Sequence, residues 1–204
     1  MFDKLKSTLN SWGFENSKCD TSLFFRRVKY EIIISLIYVD DIIITDNKSK
    51  GIKELINNLN ETFALKDLRE LNFFLKVQVT RNQDTIMLSQ AKYVQDFLVE
   101  TEMSNCKGIE PLFSTIEKLK KNEGTKSHDP TLYKSVIDNL QYVVLIRPEL
   151  TFSANKFSQS MSSPRQPHWV TCERVLTCLK STMNMCLKLK KLEHFDLVAY
   201  TDGD

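Results

Sequence analysis

Residues 31–45 read EIIISLIYVDDIIIT, two adjacent aspartates set between runs of isoleucine. Ile32, Ile33, Ile34, Leu36 and Ile37 lead in, and Ile42, Ile43, Ile44 and Thr45 lead out. β-Branched side chains at this density favour strands, and near-continuous apolar runs predict strands buried on both faces. The acidic junction is then set close to low-dielectric surface, where like charges repel and each loses water. Two readings follow. Aspartate is a common turn residue, so the junction is an ordinary hairpin turn; or the pair is held by a divalent cation. Alternation along a strand puts Tyr38 and Asp40 on one face and Val39 and Asp41 on the other. Only the turn itself could bring both carboxylates near one ion.

The rest of the chain bounds the context of this block. Its 204 residues suffice for one or two domains, and 42% hydrophobic with 26% charged residues is a globular balance. A net charge of +2 gives no bulk attraction to nucleic acid, so any basic surface is local. The apolar stretch 32–44 is interrupted by Asp40 and Asp41 and is too short to span a bilayer, so no membrane role is expected. The opening MFDKLKSTLNSWGF reads as an amphipathic helix without the apolar core of a secretion signal. Five cysteines, an odd number with no CxxC pair, fit free thiols in a reducing intracellular setting, cytoplasmic or nuclear. Glycine is scarce, 5 in 204 residues against a usual share of about 7%.

Along the chain, residues 3–12 read as a helix stopped by Gly13, and Ser22–Arg27, Tyr30–Tyr38 and Ile42–Thr45 as strands. Asp46, Asn47 or Ser49 is placed to cap a helix running to about Phe63. Leu71–Thr80 and Thr85–Leu88 read as a second hairpin, followed by a helix from Ser89 or Gln90 to Met103. Leu112–Asp129 is polar and Lys-rich, a linker. Pro130–Ile146, Thr151–Ser162 and His168–Leu187 read as three helices punctuated by prolines. A last strand, Phe195–Tyr200, runs into Thr201-Asp202-Gly203-Asp204.

Several of these blocks, in this order, resemble the reverse transcriptase of copia-class long-terminal-repeat retrotransposons. Tyr38-Val39-Asp40-Asp41 is similar to that family's palm motif. LKDLRELNFFLKVQV (65–79) resembles the segment ending in its primer grip. LSQAKYVQDFL (88–98), YKSVIDNLQYVVLIRPEL (133–150) and HWVTCERVLTCLKST (168–182) follow, and AYTDGD (199–204) resembles the first strand of the RNase H domain. The resemblance implies an α+β fold: an incomplete right-hand palm sheet with its primer-grip hairpin over 1–112, a helical thumb and connection region over 113–194, and a truncated RNase H strand over 195–204. It implies two-metal chemistry with Mg²⁺, joining a primer 3′ oxygen to an incoming deoxynucleoside triphosphate on an RNA–DNA or DNA primer–template duplex. By position, Asp40 is implied as a metal ligand with Asp41 its less direct neighbour. Tyr38 and Val39 would line the floor under the primer terminus, Phe74, Leu75 and Lys76 would form the primer grip, and Asp202 would be the first RNase H carboxylate. The resemblance moves the balance at Asp40-Asp41 from the plain turn to the metal site.

The chain also departs from the family. The palm aspartate of an earlier strand would lie upstream of residue 1, in Pol segments missing here, so the isolated chain is expected to be inactive as a polymerase. A non-catalytic nucleic-acid binder and an unselected retroelement relic are the alternatives. The family places glycine where this chain has Lys76, Asp138 and Ser181, and usually at Asp46; such glycines serve positive φ or close approach. A bulky residue costs on the order of 1 kcal/mol or more where φ must be positive. His168, Cys172, Cys178, Cys186 and His194 match no common zinc spacing and read as ordinary thiols and a helix entry. Lys180, Lys188, Lys190 and Lys191 form a basic stretch, either a solvated helix end or a contact to nucleic-acid backbone. Arg26, Arg27 and Lys29 carry the same two readings.

Overall fold

The computed structural model describes residues 2–108, 124–127, 129–191 and 199. Its fold is α+β, with two four-stranded antiparallel sheets, and the chain divides into two compact units, Met1–Leu71 and Asn72–Asp204. The boundary at residue 112, the strand 195–200 apart from Ala199, and Asp202 fall outside the described residues.

The first unit begins with helix α1 (Phe2–Ser11), which buries Leu5 and Leu9. Gly13, at φ 80°, ends it: Gly13 N donates to Asn10 O and Phe14 N to Leu9 O, both at 3.0 Å. That pair of bonds is a Schellman closure, completed by burial of Phe14 with Leu9. Strands β1 (Glu15–Asn16), β2 (Leu23–Val28), β3 (Glu31–Tyr38) and β4 (Asp41–Asp46) follow in spatial order β1-β2-β3-β4. Helix α2 (Ser49–Thr62) packs on β3 and β4 and supplies Leu55 and Leu59 to the core. Burying each of those leucines contributes about 1.5–3 kcal/mol.

The isoleucine runs are strands, as their composition predicts, yet they are not buried on both faces. Ile33, Ser35 and Ile37 of β3 are fully buried, while Ile32, Ile34 and Leu36 are half-buried. Alternation is hidden because both faces carry isoleucine, but the core covers one of them. The cap of α2 also differs from expectation. Lys48 is the cap residue and makes no side-chain cap bond. Asp46 instead accepts from Lys48 N at 2.5 Å, and Asn47 bonds Tyr30 O at 2.8 Å and Ile32 N at 3.1 Å.

The second unit contains β5 (Phe73–Phe74), β6 (Val77–Arg81), β7 (Thr85–Ser89) and β8 (Leu187–Lys190), again in sequential spatial order. Its helices are α3 (Ala91–Glu100), α4 (Pro130–Val143), α5 (Thr151–Ser158) and α6 (Gln166–Ser181), with a 3-10 turn at Pro148–Leu150. The four helices share one core around Phe97, Tyr133, Leu140, Phe157 and Leu176. Asp129 caps α4, accepting from Thr131 N at 2.9 Å and Leu132 N at 2.8 Å, and Pro130 takes the first position where its missing N–H costs nothing.

Two expectations are corrected here. Leu71–Thr80 is not one strand: a two-residue turn, Leu75-Lys76, folds β5 back onto β6. His168–Leu187 is not one helix: α6 stops at Ser181, and 187–190 form β8, paired to β7 with Leu88 opposite Leu187. Arg147 stops that helix. Its guanidinium, 5% exposed, donates to Thr182 O and Thr182 Oγ1, both at 2.9 Å, and pairs with Glu149. A buried cation there satisfies a terminal carbonyl and complements the helix dipole.

Candidate functional site

The acidic pair sits at the tip of the β3–β4 hairpin. Tyr38 pairs directly with Asp41, leaving Val39-Asp40 as a two-residue turn. Two-residue hairpin turns need positive φ in at least one central residue, which usually selects glycine or asparagine. Here Val39 takes φ 52° while 79% exposed. A β-branched residue in that region is an outlier costing on the order of 1–2 kcal/mol.

The turn resets the alternation expected along a continuous strand. Tyr38 and Asp41, directly opposed, share a face, and Asp40 lies in the turn itself. Both aspartates are exposed, so the desolvation anticipated between the isoleucine runs is relieved by a tip that reaches solvent. Two adjacent carboxylates on a short turn are hard oxygen donors of the kind Mg²⁺ accepts. Among the described residues no group of three or more His, Cys, Asp or Glu is placed to hold a metal. On their own the two carboxylates would supply at most part of a divalent-ion shell.

The second candidate locus is the β5–β6 turn in the second unit. Leu75 and Lys76 take φ 45° and 61°, so both central residues are left-handed and neither is glycine. Two contacts hold this turn to the helices of its unit, and the helices are tied to each other around them. Tyr142 of α4 donates its hydroxyl to Leu75 O. Lys76 Nζ lies 4.8 Å from the centre of the Tyr93 ring of α3. Tyr93 and Tyr142 meet edge to face at 5.1 Å, and Tyr93 donates to Asn139 Oδ1 at 2.5 Å. A cation–π contact contributes about 0.5–1 kcal/mol, which offsets much of the cost of lysine at positive φ. Sequence reasoning found Lys76 through the missing glycine but missed Tyr93 and Tyr142, which carry no local signal.

The other positions where the family has glycine behave differently. Ser181 packs tightly against Gly108, so closely that a Cβ on Gly108 would stand 2.7 Å from Ser181 Cβ. Asp138 is exposed in α4 and Asp46 ends β4. The basic residues also divide. Arg26 is structural, donating to Trp12 O at 3.3 Å and lying 5.1 Å from the Phe14 ring centre. Lys180 donates to Cys106 O at 2.6 Å and to Ser104 O. Lys188 and Lys190 stand exposed on β8, an edge strand of its sheet among the described residues. Cys172 and Cys178 are buried thiols, and burial pushes both up in pKa.

The chain belongs to the reverse transcriptase (RNA-dependent DNA polymerase) family, whose profile matches residues 1–113. Within that family its relatives are of the copia type. It is 37% identical over 201 residues to the retrovirus-related Pol polyprotein from transposon RE2 of Arabidopsis thaliana, covering 98% of this chain and 14% of that polyprotein. It is 29% identical over 214 residues to the Pol polyprotein from transposon TNT 1-94 of Nicotiana tabacum, covering 98% of the chain and 16% of the polyprotein. An uncharacterized mitochondrial protein of Arabidopsis thaliana, AtMg00810, is 33% identical over 172 residues, or 83% of this chain and 70% of that one. The chain thus spans about one-seventh of the Pol polyproteins that it matches. No solved structure matches.

Proposed function

We propose that this chain is the palm-and-thumb portion of an RNA-directed DNA polymerase, with Asp40 and Asp41 contributing to a Mg²⁺ site. The observation that carries this reading is the exposed acidic turn at the tip of the β3–β4 hairpin, in a chain of the reverse transcriptase family. Bound Mg²⁺ would lower the pKa of a primer 3′ hydroxyl and neutralise triphosphate charge. Asp40 and Asp41 supply hard oxygen donors on the exposed turn, and Tyr38 and Val39 form the floor beneath a primer terminus. Phe74, Leu75 and Lys76 make the primer grip, with Leu75 41% exposed at its turn. β4 is an edge strand among the described residues, so a further strand bearing a third carboxylate could pair there. Asp202 is the first carboxylate of an RNase H site in this scheme, and the setting is intracellular.

Two measurements test the scheme. Mn²⁺ titrated into the labelled chain should broaden amide resonances at 38–42 and spare the rest, and Asp40→Asn with Asp41→Asn should remove the effect. Broadening that survives the double substitution overturns the metal assignment. Primer extension by the 204-residue chain on a homopolymer template should give no product, because among the described residues no group of three or more ligand side chains is placed to hold a metal; synthesis abolished by Asp40→Asn would overturn that expectation. A non-catalytic nucleic-acid-binding role is favoured by the exposed cations of β8, which need no metal to act.

A further inference from the structure

Among the described residues the sheet edges are β1 and β4 in the first sheet and β5 and β8 in the second. β1 and β5 have two residues each, too few to template another strand, whereas β4 has six and β8 four. The two long edges are opposite in charge. β4 reads DIIITD, with an acid at each end, and β8 reads LKLK, followed by Lys191. Asp41, Lys188, Lys190 and Lys191 are exposed. Asp46 accepts from Lys48 N through Oδ1, while its Oδ2 has no donor among the described residues. The registers also fix which backbone groups each edge presents. Asn47 N donates to Ile32 O, so the residues of β4 bonded to β3 are Asp41, Ile43 and Thr45, and Ile42 and Ile44 turn their N–H and C=O outward. Lys191 N donates to Asp84 O, so Leu187 and Leu189 are bonded to β7, and Lys188 and Lys190 present their backbone outward.

We infer that the β4 edge of one copy of this chain pairs antiparallel with the β8 edge of a second copy. Outward-facing residues must oppose one another in an antiparallel ladder, which leaves few registers. The register that sets Ile44 opposite Lys188 and Ile42 opposite Lys190 also sets Ile43 against Leu189 and Asp41 against Lys191. Asp46 then stands diagonal to Lys188, within the reach of a long side chain. Neither edge suits its own kind. Two β4 edges would bring acids together without a cation, and two β8 edges would bring lysines together without an anion. Lysine on an edge strand ordinarily blocks pairing, and a partner strand ended by carboxylates lifts that block. The contact is head-to-tail: each copy uses one edge and leaves the other free, so association runs on to a ring or an open chain instead of stopping at a two-fold dimer. A further strand seated on β4 would exclude the second copy, so the contact belongs to chains whose β4 edge is unpaired. The inference rests on strand edges and charge, and it stands or falls apart from the polymerase reading.

The test is sedimentation velocity of the full 204-residue chain over a concentration series, beside two charge variants. Asp41→Lys with Asp46→Lys makes both long edges basic, and Lys188→Glu with Lys190→Glu and Lys191→Glu makes both acidic. The sedimentation coefficient of the parent chain should rise with concentration and fall back on adding salt. Each variant alone should lose that rise, and an equimolar mixture of the two should regain it, which also shows that both are folded. Hydrogen exchange on the parent chain gives a readout free of substitutions. On raising the concentration, the amides of Ile42, Ile44, Lys188 and Lys190 should slow, while those of Ile43, Thr45, Leu187 and Leu189, already bonded within their sheets, should not change. A parent coefficient that stays constant with concentration overturns the inference. So does association retained by either variant alone, or slowing confined to the amides of one edge, since each assigns the contact to like edges or to another surface.

Discussion

Lys29, Val39, Leu75 and Lys76 all take positive φ, and all lie in two-residue hairpin turns. Glycine scarcity in the sequence is the visible trace of this: with 5 glycines in the chain, Gly13 closes α1 and these turns are left to residues with a Cβ. Val39→Asn should raise stability by about 1 kcal/mol, because asparagine tolerates this region and the exposed valine has little burial to lose. Urea unfolding with an unchanged m-value is the check. Leu75→Asn with Lys76→Gly, the preferred pair for a turn with both residues left-handed, should add about 1–2 kcal/mol. Tyr142→Phe should cost about 0.5–1.5 kcal/mol through the lost bond to Leu75 O, and hydrogen exchange should quicken first at 74–77. Strain that a simple substitution would remove, held by one polar and one aromatic contact, is the pattern expected where a turn's shape is put to use.

At the scale of elements, legibility depended on whether the signal was local. The isoleucine strands, α1 and its Gly13 stop, and α4 after Asp129-Pro130 were readable because propensity, period and cap agree within a few residues. The β5–β6 turn was not, since Leu-Lys is no turn signal and only the pull of Tyr93 and Tyr142 from distant helices makes it one. The end of α6 was missed for the same reason. Helical spacing continues past Ser181, but Arg147, far away in sequence, holds Thr182 as the C-cap of α6, and pairing with β7 then decides for a strand at 187–190. Of the candidate residues, Asp40, Asp41 and Lys76 were legible from composition and motif, whereas the face holding Lys188 and Lys190 required the sheet register. Arg147→Met should cost about 1.5–3 kcal/mol, as a buried charged donor to two groups of Thr182 is lost, measured by thermal or urea unfolding. Asp129→Ala should cost about 1 kcal/mol through the α4 cap.

Across the whole molecule, buried titratable groups set a direction for pH. Desolvation raises the Cys172 thiol and the Tyr133 hydroxyl, and with the nearby Glu100 charge it pushes Tyr93 up to about 12. A raised pKa means the folded chain keeps a proton that the unfolded chain has given up. Stability from these groups is complete below their unfolded values, about 8.5 for cysteine and 10 for tyrosine, and is lost as pH rises past them. The Cys172 thiol alone should remove up to about 1.4 kcal/mol per pH unit above that point, and Cys172→Ala should flatten the fall in urea midpoint between about pH 8.5 and 10. A brief thiol-labelling pulse on the native chain should modify exposed Cys19 and Cys186 and leave buried Cys172 untouched.

The pairing of β8 with β7 has one more effect, on the order of events during synthesis. Roughly a hundred residues separate the two strands, among them α3 to α6. A nascent chain exposes the free edge of β7 until β8 has left the ribosome, while the helices, whose contacts are more local, can already collapse. Chains arrested before residue 187 would carry an unpaired strand ready to join another copy, so the yield of soluble monomer should depend on how soon β8 follows α6 in synthesis as well as on the stability of the finished fold.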